Sequence, residues 1–176
     1  MEFLNEPVFP ESLPQVEAVR LTPLSPDYRK VLRLEWAITM LCTLAGLVLM
    51  TVLVKPMQQP LVISLVGAGW LLLAAAWFIL MEKSFVNKAY AIRDKDVIYR
   101  TGWVIQSTHT CPFNRIQHST VTIGPLERKF GLARLVLYTA GSNDADMSIP
   151  GLTQTVAQTL KEWITKKIAD EPAGQL

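Results

Sequence analysis

Two long apolar runs without an ionisable side chain constrain this chain more than any other feature. Residues 36–54 and 61–81 contain no Asp, Glu, Lys, Arg or His, over 19 and 21 positions. A helix rises about 1.5 Å per residue and the hydrocarbon core of a bilayer is about 30 Å thick, so each run is long enough to span. A helical hairpin buried inside a soluble protein is the competing reading. Core helices rarely stay apolar on every face for this long, because one face usually meets water. A cleaved signal peptide does not fit either, because the first run starts far from Met1 behind acids and prolines. The connector, residues 55–60, carries Pro56 and Pro60 and is short enough for a tight turn outside the membrane.

Flanking charge gives the orientation. Arg20, Arg29, Lys30 and Arg33 precede the first run, and Lys83, Lys88, Arg93, Lys95 and Arg100 follow the second. The connector holds only Lys55. Basic residues resist translocation, so both termini are expected in the cytoplasm, with the chain in a bacterial inner membrane. Trp36, Trp77 and Phe78 lie near the ends of the runs, where rings favour the interface. Gly46, Gly67 and Gly69 would let helices approach closely.

The remaining chain divides accordingly. Residues 1–24 contain Pro7, Pro10, Pro14 and Pro23 and little periodicity, so a mostly extended cytoplasmic tail is expected, with a short helix near 15–20. Ser25, Pro26 and Asp27 form a helix start: a cap, a first-turn proline and an acid at the positive end of the dipole. The membrane hairpin is therefore placed at 25–82, a cytoplasmic domain at 83–170 and a short tail at 171–176. Residues 82–176 sum to +3 and residues 1–27 to −4. That is too mild for a nucleic-acid binder, though compatible with a domain near an anionic leaflet.

Beyond residue 81 the period changes. Runs at 85–92, 97–104, 108–113, 117–123 and 132–139 are rich in β-branched and aromatic residues, with turn residues between them, and 147–149 reads as one more strand. At 153–169, Val156, Leu160, Trp163, Ile164 and Ile168 recur at helical spacing behind a capping Thr153. Six or seven antiparallel strands followed by one amphipathic helix make an α+β unit.

Few residues are suited to chemistry. His109, Cys111 and His118 could neighbour one another on adjacent strands, but they lack a fourth ligand and a metal-site spacing, so an ordinary strand surface is expected. Asp144 and Asp146 read as solvated turn formers. No nucleophile elbow, phosphate loop or CxxC is present, so neither catalysis nor a cofactor is expected. Cys42 and Cys111 do not form a staple, one lying mid-membrane and the other in a reducing compartment.

Several separated motifs carry a resemblance: Arg100-Thr101-Gly102; Cys111-Pro112-Phe113-Asn114-Arg115-Ile116-Gln117; Gly124-Pro125-Leu126-Glu127-Arg128-Lys129-Phe130-Gly131; and Thr139-Ala140-Gly141-Ser142. Together with Leu24-Ser25-Pro26 and the two apolar runs, they resemble the second type of bacterial pleckstrin-homology-like domain, in its short membrane-anchored form, over roughly residues 24–168. The resemblance implies a bent antiparallel sheet of about seven strands capped by a C-terminal helix. It implies no defined chemistry, and often an accompanying larger membrane protein with repeated copies of the domain. Eukaryotic relatives of the fold bind phosphoinositides through basic residues in the first strand turn. Here that turn is Arg93-Asp94-Lys95-Asp96, with no net charge, which argues against carrying the property over.

The expected function is an anchored interaction module that assembles with another membrane protein carrying such domains, or with itself. The alternative is binding or handling of anionic membrane lipids. The residues expected to meet a partner or lipid are Arg115, Gln117, Arg128, Lys129 and Arg134, some of them forming one exposed patch. Arg115 and Gln117 have a competing structural role, satisfying backbone carbonyls at a loop-to-strand corner.

Overall fold

The computed structural model describes residues 20–55, 59–139 and 147–170. The helix expected near 15–20, the centre of the connector, the turn holding Asp144 and Asp146, and the final tail lie outside the described residues.

The order is β1 (Thr22–Pro23), α1 (Pro26–Leu53), α2 (Pro60–Val86), β2 (Ala89–Ile92), β3 (Asp96–Thr101), β4 (Ser107–Pro112), a 3-10 turn (Phe113–Arg115), β5 (Ile116–Thr122), α3 (Pro125–Lys129), β6 (Leu132–Thr139), β7 (Met147–Thr153) and α4 (Gln154–Asp170). Helix α1 starts as its first residues dictate. The Ser25 hydroxyl accepts from the Asp27 amide at 3.4 Å, and Pro26 occupies the first turn.

Both long helices meet the length and hydropathy needed to cross a membrane. Of their most hydrophobic windows, 0% of one and 6% of the other is buried, so neither is the covered core helix of a soluble protein. The pair touches along one seam. Met40 and Ala74 are buried, Trp36 packs edge-on against Phe78 at 5.1 Å, and Trp70 Nε1 donates to Thr43 Oγ1 at 3.2 Å. The glycines play no part in it: a β-carbon at Gly46, Gly67 or Gly69 would meet nothing within 4 Å. The buried small residue of α2 is instead Ala74, one turn beyond Trp70.

Seven antiparallel strands form two sheets, ordered β1-β2-β3-β4 and β5-β6-β7, separated in sequence by the 3-10 turn. The strand count matches the expectation, but one strand comes from in front of the first helix. Thr22 pairs with Tyr90 and Pro23 with Ala89, inside the stretch expected to be tail. Pro23 suits such an edge position, where the missing donor faces away from the ladder. Residues 85–86 were expected to open a strand and instead end α2. The Lys88 amide closes on the Phe85 carbonyl at 3.1 Å, and Phe85 packs against Tyr28 with centroids 6.4 Å apart.

The core of the domain contains Val97, Phe113, Leu132, Leu135, Leu137, Ile149 and Ile164, and with them Leu24, Tyr28 and Val31. Val31 is wholly buried, and removing a side chain of that kind from water is worth about 1.5–3 kcal/mol. The first turns of α1 therefore belong to the domain as much as to the membrane hairpin. Helix α4 closes the other side. It buries Ala157 and Ile164, with Trp163 edge-on to Phe113 at 5.5 Å, while Val156 faces out at 38% exposure. A helical stripe centred on Ala157, Leu160, Ile164 and Ile168 puts Val156 one residue off the buried line.

Candidate functional site

The five expected contact residues fall in two places. Arg115 closes the 3-10 turn, Gln117 follows on β5 beside a register shift, and both are exposed. Among the described residues no hydrogen bond or ion pair to Arg115 is formed. Arg128 and Lys129 are exposed on α3, and Arg134 lies on β6 opposite Thr122. Seven strand residues separate 115 from 122, about 23 Å at roughly 3.3 Å each, so one patch does not unite the two groups.

The two ends of the domain differ in what surrounds them. The Arg115 end also carries the β2–β3 turn, where Arg93 Nε donates to Asp96 Oδ1 at 2.6 Å and the Phe113 amide reaches the Lys95 carbonyl at 3.0 Å. The turn that carries phosphoinositide binding in eukaryotic relatives thus spends its arginine internally. The α3 end packs beside the first turns of α1 and so lies toward the membrane hairpin.

At that junction end the sequence reading missed Glu127. It is 5% exposed, the one buried charged residue among the described residues. Oε2 accepts from the Gly124 amide at 2.9 Å, closing the capping box of α3, and Oε1 accepts from Arg134 Nη2 at 3.2 Å. The signal was present as a Gly-Pro start followed by a glutamate three residues after the cap. Arg134 thereby serves α3 internally, which leaves Arg128 and Lys129 as the solvent-facing cations of this turn.

A second cluster joins the helices where their apolar runs end. Arg29 Nε donates to Glu82 Oε2 at 2.6 Å and Arg33 Nε to Glu82 Oε1 at 2.7 Å. A carboxylate held by two guanidinium groups fixes the two helices against each other beside the domain. Lys88 completes the junction, its ammonium 5.6 Å from the Tyr28 ring centre. Burial lowers the pKa of that ammonium, with the Glu35 charge opposing and Arg134 assisting. Burial likewise raises the Tyr99 phenol within the sheet.

The histidines and Cys111 do not converge. His109 and Cys111 lie on β4, whereas His118 lies on β5 in the other sheet and stacks on Tyr138 at 4.4 Å. Among the described residues no group of three or more His, Cys, Asp or Glu is placed to hold a metal.

The family profile described as bacterial PH domain matches residues 31–168. This chain belongs to the bacterial PH domain family. It is also 29% identical over 145 residues to the UPF0699 transmembrane protein YdbS of Bacillus subtilis (strain 168), covering 81% of this chain and 89% of that one. A solved structure of a DUF1696 family protein with a pleckstrin-homology domain, from Shewanella loihica PV-4, is 21% identical. It covers 49% of this chain and 71% of that chain, with a TM-score of 0.34. The bacterial PH domain here is thus part of a transmembrane protein, and its match begins at Val31, inside α1.

Proposed function

We propose that this protein is a membrane-anchored bacterial PH interaction module that assembles with another membrane protein, one carrying domains of the same kind, or with a second copy of itself. The observation that carries this reading is the joint between α1 and the domain. Leu24, Tyr28 and Val31 sit in the domain core while the same helix continues into the apolar run. A domain fused to its anchor cannot swing far from the bilayer, so what it meets is what stands beside it in or on the membrane. The basic flanks of the hairpin favour the cytoplasmic side of the inner membrane for that domain.

The exposed pair Arg128 and Lys129, on the junction side, is the contact assigned to an acidic partner surface. A photoreactive residue in place of Ile123, exposed just before the cap of α3, should crosslink, in native membranes, to a membrane protein or to a second copy. Arg128→Glu with Lys129→Glu should weaken that association and leave the fold intact, because solvated charges contribute little to stability. Adducts with lipid alone, abolished by the same double change, would replace the protein partner with an anionic head group. Unchanged adducts in the double variant would remove this pair from the account.

A further inference from the structure

The β3–β4 hairpin ends in three consecutive apolar residues that the domain does not use. Trp103, Val104 and Ile105 are 43%, 75% and 80% exposed. Contiguous apolar exposure of this kind on a folded domain marks a contact rather than a packing accident. The loop is built to present them. Strand β3 stops at Thr101, and Gly102 adopts φ +94, where a side chain is strained. A β-carbon at 102 would run into the Ile105 carbonyl oxygen, so the turn closes Gly102 onto Ile105 and leaves the residues between them at the tip.

The register places that tip. Ala89, just past α2, pairs with Arg100, and Thr101 pairs with Ser107. The hairpin therefore points back along α2, toward the bilayer. Lys83 Nζ lies 4.9 Å from the Trp103 ring centre. Lys83 stands two residues past the end of the apolar run, about 3 Å along the helix axis. Trp103 is thus level with the point where α2 leaves the hydrocarbon, the depth at which indole rings partition. Lysine at that depth snorkels its ammonium toward head groups.

We propose that Trp103, Val104 and Ile105 form a wedge that inserts into the head-group layer of the bilayer beside α2, a third membrane contact of this chain. The occupant of this apolar tip is lipid, because the tip continues the surface of a helix that already lies in lipid. Trp103 takes the interfacial position, and Val104 and Ile105 reach the acyl boundary, an insertion of about 5–10 Å. The wedge fixes the tilt of the domain against the membrane, and so the direction in which its other surfaces face.

The test uses the full chain, one copy per lipid nanodisc, with Cys42 and Cys111 replaced by alanine. An environment-sensitive fluorophore is attached at Val104→Cys or, as the distal reference, at Asn114→Cys. Emission at 104 should be blue-shifted, protected from iodide, and quenched several-fold more than at 114 by lipids with a nitroxide high on the acyl chain. Iodide quenching at 104 equal to that at 114 would place the tip in water and overturn the proposal. Protection from iodide without nitroxide quenching would show protein covering the tip and overturn it equally. In the unlabelled chain, Trp103→Phe should remove a bromolipid-quenched part of the tryptophan emission; an unchanged quenched fraction would also count against the wedge.

Discussion

The Tyr28 ring lies directly over Gly151, so closely that a β-carbon at 151 would stand 2.5 Å from Tyr28 Cγ. The backbone of Gly151 has φ +67, and its carbonyl accepts from the Ser25 amide at 3.0 Å. One glycine thus receives both the cap and the first aromatic ring of the membrane helix.

Gly151→Ala should therefore lower stability by about 2–4 kcal/mol, combining left-handed strain with an overpacked ring contact. Gly131 is the control, having φ +66 with nothing within 4 Å of its β-carbon position. Gly131→Ala should cost only the strain, about 1–2 kcal/mol. Thermal unfolding of the full chain in mild detergent, followed by circular dichroism, separates the two; equal losses would mean that the ring contact carries no energy.

Glu127→Ala should lower stability by about 1–3 kcal/mol, because the Gly124 amide and Arg134 lose their acceptor together. Glu127→Gln keeps one acceptor for Gly124 and should fall between the variant and the parent. Denaturant unfolding in detergent reads the order. Arg134→Ala should cost less than Glu127→Ala, because the arginine side chain is 42% exposed and replacing it leaves the Gly124 bond in place.

Trp163→Ala should cost about 3 kcal/mol through the lost edge-on contact with Phe113, toward the low end for tryptophan because the ring is half-buried. The measurement needs the whole chain. A fragment starting at residue 83 would lack Leu24, Tyr28 and Val31, and its melting would report a core already opened. Parent-like melting of the full-length variant would show that α4 is not held where the fold places it.

A reporter active only outside the cytoplasm, fused to the C-terminus, should stay silent, as the basic flanks of the hairpin require. A strong signal there would reverse the orientation.

The membrane hairpin was legible in the sequence because a span declares itself by the absence of charge over twenty positions. Helix α4 was legible from its period, apart from Val156. The domain's dependence on residues 22–31 was not. A two-residue strand has no period, and an arginine-rich helix start reads as a membrane flank whether or not its other face is buried. The strand expected at 97–104 ends at Thr101: the strand propensity of Val104 carried the expectation too far, and only the conformation of Gly102 shows the chain turning away. The contact residues were chosen by charge, which does not reveal distance. Sequence placed Arg115 and Arg134 in one list, whereas β5 sets their ends of the sheet apart and Glu127 occupies the second.

The pairing of Thr22–Pro23 with Ala89–Tyr90 brackets the whole helical hairpin between two hydrogen-bonded strands. It makes biogenesis sequential. The ribosome releases β1 and the start of α1 well before β2 exists, and the helical pair must come back on itself before those partners can meet. Completion of the domain then certifies that the hairpin has returned to the side from which it started. A chain whose second segment failed to cross back would carry β1 and β2 on opposite faces of the membrane, leaving the later strands without their edge strand and without Leu24, Tyr28 and Val31 in the core.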